Sequence, residues 1–126
     1  KNSLKILYEK FHMDKRNENE TNEPLTQFAS IFSYNNERLN CRCCQRELIV
    51  SGHEKMNVPL TPSQKNALDN LDKLLADENF AVTYLLKSND LMFSNNNWLI
   101  HDRTNFVDFN DENLKRCLLR TWIRDR

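Results

Sequence analysis

A single glycine, Gly52, serves the whole of a 126-residue chain that contains 18 asparagines. Glycine enters left-handed backbone at no steric cost, and Asn and Asp are the next most tolerant residues. A chain this poor in glycine must reverse direction at Asn and Asp. It offers such places between short apolar runs at Asn35-Asn36, Ser88-Asn89-Asp90 and Asn95-Asn96-Asn97. Phe80, Val82, Tyr84 and Leu86 alternate along 80–86, which predicts a strand, and further strands are expected over 91–94, 98–101 and 116–123. These segments are expected to share one antiparallel sheet system.

Helices are expected beside that sheet. Thr61-Pro62-Ser63-Gln64 reads as a capping box, with Thr61 as N-cap, Pro62 at the first helical position and Gln64 reaching back. Ala67, Leu68, Leu71, Leu74 and Leu75 then mark one apolar face, so a helix is predicted over 62–76, packed through Leu68, Leu71 and Leu75. Leu4, Leu7, Tyr8 and Phe11 predict another over 3–11. Asp14 to Pro24 reads as a loop, 28–34 as a short apolar run, Leu39 to Val50 as a strand, and Gly52 to Pro59 as a second loop. The class is α+β, and the length fits one domain or part of one.

Charge narrows the partners. Lys and Arg total 18, as do Asp and Glu, so the net charge is zero and nothing draws the chain to nucleic acid or anionic membrane. Apolar residues at 39% suffice for a core, no run approaches the ~20 residues of a membrane span, and the N-terminus carries no signal-peptide pattern. A start at Lys1 rather than Met leaves open a cloned segment, a cleaved product or part of something longer. Cys41, Cys43 and Cys44 crowd together while Cys117 is remote, which is no disulfide framework and suggests a reducing, cytoplasmic setting. Zinc on Cys41, Cys43, Cys44 and His53 is conceivable, but C-x-C-C is not the usual knuckle, and free thiols are the preferred reading.

The last predicted strand holds the chemistry. Alternation puts Arg116, Leu118, Arg120 and Trp122 on one face and Cys117, Leu119, Thr121 and Ile123 on the other, so burial on both sides is expected. Guanidiniums on an inner face need an anion, and the planar fork of Arg holds a carboxylate by two hydrogen bonds. The pattern leaves open whether that anion is a protein carboxylate, Asp90 or Asp108 for instance, or a ligand. His101 ends the run Trp98-Leu99-Ile100, 15 positions before Arg116, so both strands of a hairpin could face one pocket.

The segment 86–104, LKSNDLMFSNNNWLIHDRT, resembles the C-terminal signature of the TauD/TfdA family, iron(II)- and 2-oxoglutarate-dependent oxygenases akin to clavaminate synthase. Asp90, Asn96, His101, Arg103, Thr104 and Phe106, then Arg116, Leu118, Leu119, Arg120 and Trp122, stand in the family's order. The resemblance is strong over 86–123 and weak before 60. It implies the C-terminal part of a double-stranded β-helix, or jelly roll, with flanking helices. His101 would be the distal histidine of a two-His-one-carboxylate iron triad, a donor set that suits Fe(II) and leaves positions open. Arg116 would bind the distal carboxylate of 2-oxoglutarate, with Arg120 assisting or holding the strand, and Asn96 would order the turn before His101. The implied activity is a dioxygenase that hydroxylates a small organic substrate with dioxygen.

The family's glycines before Asp90 and after His101 are Asn89 and Asp102 here, residues that tolerate left-handed backbone. The triad also requires an upstream H-x-D or H-x-E. His12-Met13-Asp14 is the candidate, yet it lies only 89 positions before His101, closer than the family's usual spacing. The preferred reading puts the first iron motif upstream of Lys1 and makes His12 and Asp14 a solvated helix end. Residues 1–126 would then be a partial single domain, completed by an N-terminal portion or a second chain. Two other readings remain: a non-catalytic relative that binds a carboxylate ligand or protein partner, and a zinc-stabilised interaction module.

Overall fold

The computed structural model describes residues 2–35, 37–42 and 45–123. The chain opens with helix α1, Asn2–Leu7, and strand β1, Lys10–Asp14. β1 pairs antiparallel with β2, Thr26–Ser30, in a register that sets Phe11 against Ala29 and His12 against Phe28. β3, Phe32–Asn35, pairs antiparallel with β4, Arg38–Cys41. Helices α2, Arg46–Lys55, and α3, Pro62–Leu75, follow. The class is α+β, as the alternation of short patterned segments predicts.

Period-2 burial organises β1. Phe11 and Met13 are buried, whereas Lys10, His12 and Asp14 are not. With Leu7, Ile31, Cys41, Ile49, Ala67, Leu68 and Leu71 they form the core. Phe11 therefore belongs to the sheet, and the helix expected over 3–11 ends at Leu7 with a tightening bond from the Tyr8 N–H to the Lys5 carbonyl at 3.2 Å.

α2 overturns two expectations. Leu39 to Val50 is not one strand: β4 stops at Cys41 and the helix begins at Arg46. Gly52 lies in that helix rather than in a loop. The β-branched Ile49 and Val50 suggest a strand, but Ile49, Gly52 and His53 are the buried positions, a spacing of three and four that turns one helix face inward. Gly52 serves close approach, not a turn. A Cβ there would meet the His12 carbonyl oxygen at 2.4 Å and the Asp14 nitrogen at 2.8 Å.

α3 forms as predicted. The Gln64 N–H donates to Thr61 Oγ1 at 3.2 Å and the Thr61 N–H donates to Gln64 Oε1 at 3.0 Å, closing the capping box. Ala67, Leu68 and Leu71 are buried, but Leu74 and Leu75 remain exposed, so the packing stripe is one turn shorter than expected. Arg46 of α2 ties the two helices together by donating to Asp69 at 2.5 Å and to Asp72 at 2.7 Å.

Beyond α3 the turns are where the sequence places them, but the strands are not. Asn89 has φ 72°, and the Asp90 N–H donates to the Lys87 carbonyl at 3.1 Å. The Trp98 N–H closes the 95–98 turn onto the Asn95 carbonyl at 3.3 Å. Of the described non-glycine residues with positive φ, Asn17, Asn57 and Asn89 bear out the role of asparagine, joined by Arg16 and Glu37. Among the described residues from 81 to 123 no strand ladder forms, so the strands expected over 80–86, 91–94, 98–101 and 116–123 are not formed. Arg116 to Ile123 is exposed rather than buried on both faces, Leu119 at 96%. The reason is that alternation specifies a surface fit for a sheet, while a strand exists only once a neighbour takes up its backbone groups. Among the described residues, one main-chain bond links this region to the sheets, from the Cys41 N–H to the Asn97 carbonyl at 2.5 Å. No helix among the described residues is long and apolar enough to cross a membrane.

Candidate functional site

The loop after His101 folds back on itself. Asp111 Oδ1 accepts the Asn113 N–H at 2.9 Å and caps a short 3-10 turn, Glu112–Leu114. That turn returns the chain toward Phe106. The Arg116 N–H donates to Asp108 Oδ1 at 3.0 Å, and the Arg116 guanidinium carbon sits 3.9 Å from the centre of the Phe106 ring. Arg103 approaches the same ring at 4.9 Å. Arg120 lies over Trp122 at 5.1 Å. A cation over an aromatic face at an exposed site gains about 0.5–1 kcal/mol. A guanidinium held by its face keeps its in-plane N–H donors for an anion.

The carboxylates that could pair with these arginines are engaged elsewhere. Asp90 Oδ2 accepts the Tyr84 hydroxyl at 3.0 Å and the Lys87 N–H at 2.8 Å. Asp108 takes the Arg116 main chain, and Asp102 Oδ1 takes the Arg103 N–H at 2.8 Å. Among the described residues the ion pairs join Lys15 to Glu23, Arg46 to Asp69 and Asp72, Lys55 to Asp14 and Lys115 to Glu112. None involves Arg103, Arg116 or Arg120.

The other predicted residues are scattered. His101 is exposed, and no hydrogen bond, ion pair or ring contact joins it to Arg116. Asn96 accepts the Ser94 hydroxyl at 3.1 Å and helps line a polar concavity with Ser33, Asn40, Arg42 and Asn97. Cys43 and Cys44 lie outside the described residues, while Cys41 is buried in the core and Cys117 is exposed. Among the described residues no three His, Cys, Asp or Glu side chains gather as a metal site.

His12 and Asp14 are not a solvated helix end. They sit on β1 beneath α2. The His12 N–H donates to His53 Nε2 at 3.2 Å, and His53 Nδ1 meets the Val58 carbonyl at 2.8 Å. A carbonyl only accepts, so the proton is on Nδ1 and both ring nitrogens of His53 are occupied within the protein. The His12 ring meets Thr26 Oγ1 at 3.2 Å and Phe28 at a centroid distance of 4.5 Å, and burial, with the neighbouring His53, holds its pKa below the usual value. Asp14 accepts from Lys55 Nζ at 2.7 Å, Ser51 Oγ at 2.5 Å and the Arg16 N–H at 2.8 Å. The Lys55 bond first, then Ser51 and the Arg16 amide, lower its pKa to about 2.

No sequence pattern marks Phe106 as a platform for two arginines. The signal it offers is an aromatic residue inside the polar stretch 104–113. Comparison with known proteins covers nearly the whole chain. The model of the family described as "Taurine catabolism dioxygenase TauD, TfdA family" matches residues 2–122. FR-33289 synthase of Streptomyces rubellomurinus (strain ATCC 31215) is 30% identical over 122 residues, which cover 95% of this chain and 36% of the relative. The chain thus spans little more than a third of the length of that curated relative.

Proposed function

The chain belongs to the taurine catabolism dioxygenase TauD, TfdA family, and from that membership we propose that it is the C-terminal part of an Fe(II)- and 2-oxoglutarate-dependent dioxygenase hydroxylating a small organic substrate. The observation that carries this reading is the family match over residues 2–122; the order of His101, Arg116 and Arg120, which resembles the family signature, supports it. In this proposal His101 is one iron ligand, Arg116 receives the distal carboxylate of 2-oxoglutarate, and Arg120 steadies the strand. Residues 80–123 contribute strands to a jelly roll in a cytoplasmic protein.

The residues fit the two groups unequally. An exposed guanidinium with its face on Phe106 and no carboxylate partner among the described residues suits one end of a dicarboxylate. Iron is different. The described residues alone do not make a site for it, and His101 is one imidazole that cannot hold Fe(II) against water. The remaining ligands are proposed to come from outside these residues.

The test is titration of 2-oxoglutarate into the complete protein and its Arg116→Ala and Arg116→Lys variants. Arg116→Ala should weaken binding by more than about tenfold, the effect of removing one partner of a close charged pair. Arg116→Lys keeps the charge but loses the fork, and should recover part of it. Unchanged affinity in Arg116→Ala would remove the residue on which the co-substrate assignment depends.

A further inference from the structure

We propose that Phe106 is a positioning residue that holds Arg103 and Arg116 as a paired-guanidinium receptor, with Arg103 as a second contact to the carboxylate; this rests on the reading that Arg116 binds 2-oxoglutarate. The juxtaposition is unusual on electrostatic grounds. Both guanidiniums lie over one ring, at 4.9 and 3.9 Å from its centre, although like charges repel. The negative face of the ring offsets part of that repulsion.

The neighbouring carboxylates do not neutralise the pair. Asp102 directly precedes Arg103 and Asp108 lies between Phe106 and Arg116, and each directs an oxygen to a main-chain N–H: Arg103 at 2.8 Å and Arg116 at 3.0 Å. These bonds fix the backbone on both sides of the ring while leaving the guanidinium edges unpaired among the described residues. Phe106 itself is 44% exposed and lies outside the buried core, and the thermal midpoints of its variants separate loss of the platform from loss of the fold. Two planar forks on one platform present several N–H donors to a planar, two-oxygen anion, which is the chemistry of a carboxylate.

The experiment measures 2-oxoglutarate binding to the complete protein by calorimetry, with thermal midpoints recorded alongside. The variants are Phe106→Leu, Phe106→Tyr, Arg103→Gln, Arg116→Ala and the double variant Phe106→Leu/Arg116→Ala. Phe106→Leu and Arg103→Gln should each weaken binding about fivefold, which corresponds to about 1 kcal/mol, at an unchanged thermal midpoint. Phe106→Tyr keeps the π face and should bind as the unsubstituted protein does. Because the ring acts partly through Arg116 and partly through Arg103, the double variant should lose clearly less than the sum of the two single losses. Full additivity in the double variant would overturn the proposal, as would normal binding by Phe106→Leu beside impaired Arg116→Ala. Normal binding by Arg116→Ala is a different failure, because it removes the co-substrate assignment itself.

Discussion

Asp14 and Gly52 face each other across the β1–α2 contact and fix it by opposite means. Asp14 contributes charge: its carboxylate joins Lys55 and Ser51 of α2 to the Arg16 amide. A pKa lowered to about 2 from 3.8 means that the unfolded chain takes up a proton first as the pH falls. The stability from Asp14 is therefore complete above about pH 4 and is lost as the pH drops through about 2. His12 adds an earlier step of the same sign. Its pKa lies below the usual 6.5, so protonation of the unfolded chain begins to lower stability once the pH falls below that value. Urea midpoints measured from pH 8 to pH 2 should decline in these two stages, and Asp14→Asn should flatten the lower one. An unchanged acid limb in Asp14→Asn would show that Asp14 does not set it. Gly52 contributes absence of bulk. Ala in a helix interior gains about 1 kcal/mol over Gly. Here the added methyl would meet main-chain atoms of β1 at 2.4 to 2.8 Å, and main chain cannot rotate aside. Overpacking typically costs about 1–3 kcal/mol. With the upper figure apt for a backbone clash, Gly52→Ala should lose about 2 kcal/mol net, measurable as a lower urea midpoint at constant slope.

At the scale of elements, α3 was readable because its signals are local. The Thr61 hydroxyl and the Gln64 side chain satisfy each other's main-chain donors, so Thr61→Ala should cost about 1 kcal/mol in thermal or urea unfolding, and Thr61→Asp should be nearly silent. A Thr61→Ala protein as stable as its parent would mean that tertiary packing, not the cap, fixes where α3 begins. The turns at Asn89 and Asn95–Asn97 were readable for the same reason, since each is closed by bonds within a few residues. α2 was not readable. Its inward face depends on β1, which lies 32 to 45 residues earlier, and Leu48-Ile49-Val50 satisfies strand and helix patterns equally well over so short a run. The candidate site divides along the same line. The order of His101, Arg103, Phe106, Arg116 and Arg120 is a property of the chain, and it carried the family resemblance. The stacking of Arg103 and Arg116 on Phe106 depends on how the 3-10 turn at Glu112–Leu114 brings residue 116 back, and no spacing rule predicts that.

At the scale of the molecule, the buried core among the described residues is drawn entirely from residues 7–71. The chain beyond α3 carries Phe93, Trp98, Phe109, Leu118, Trp122 and Ile123 in exposed positions. Scattered apolar residues on a surface are ordinary, but apolar residues exposed at alternate positions, as at Val82, Tyr84 and Leu86, with main-chain groups outside any ladder, are what an unpaired sheet component looks like. Each described sheet has only two strands, and such pairs are marginal without a covering helix or further strands. α2 covers the β1–β2 pair, whereas the region from 81 onward reaches the β3–β4 pair through the Cys41–Asn97 bond. The proposed jelly roll would resolve both deficits at once by giving 80–86, 98–101 and 116–123 neighbours within the larger protein. Hydrogen exchange tests this directly. In the complete protein the amides of 82–86 and 116–122 should be protected to a degree comparable with Ile49 and Leu68, because paired strand amides open only with the sheet. The Cys117, Leu119, Thr121 and Ile123 face should become inaccessible as well, so the Cys117 thiol should resist alkylation until denaturant is added. Rapid exchange at 116–122 together with prompt alkylation of Cys117 would leave Arg116 on an unpaired segment, and the strand reading of the co-substrate site would fail with it.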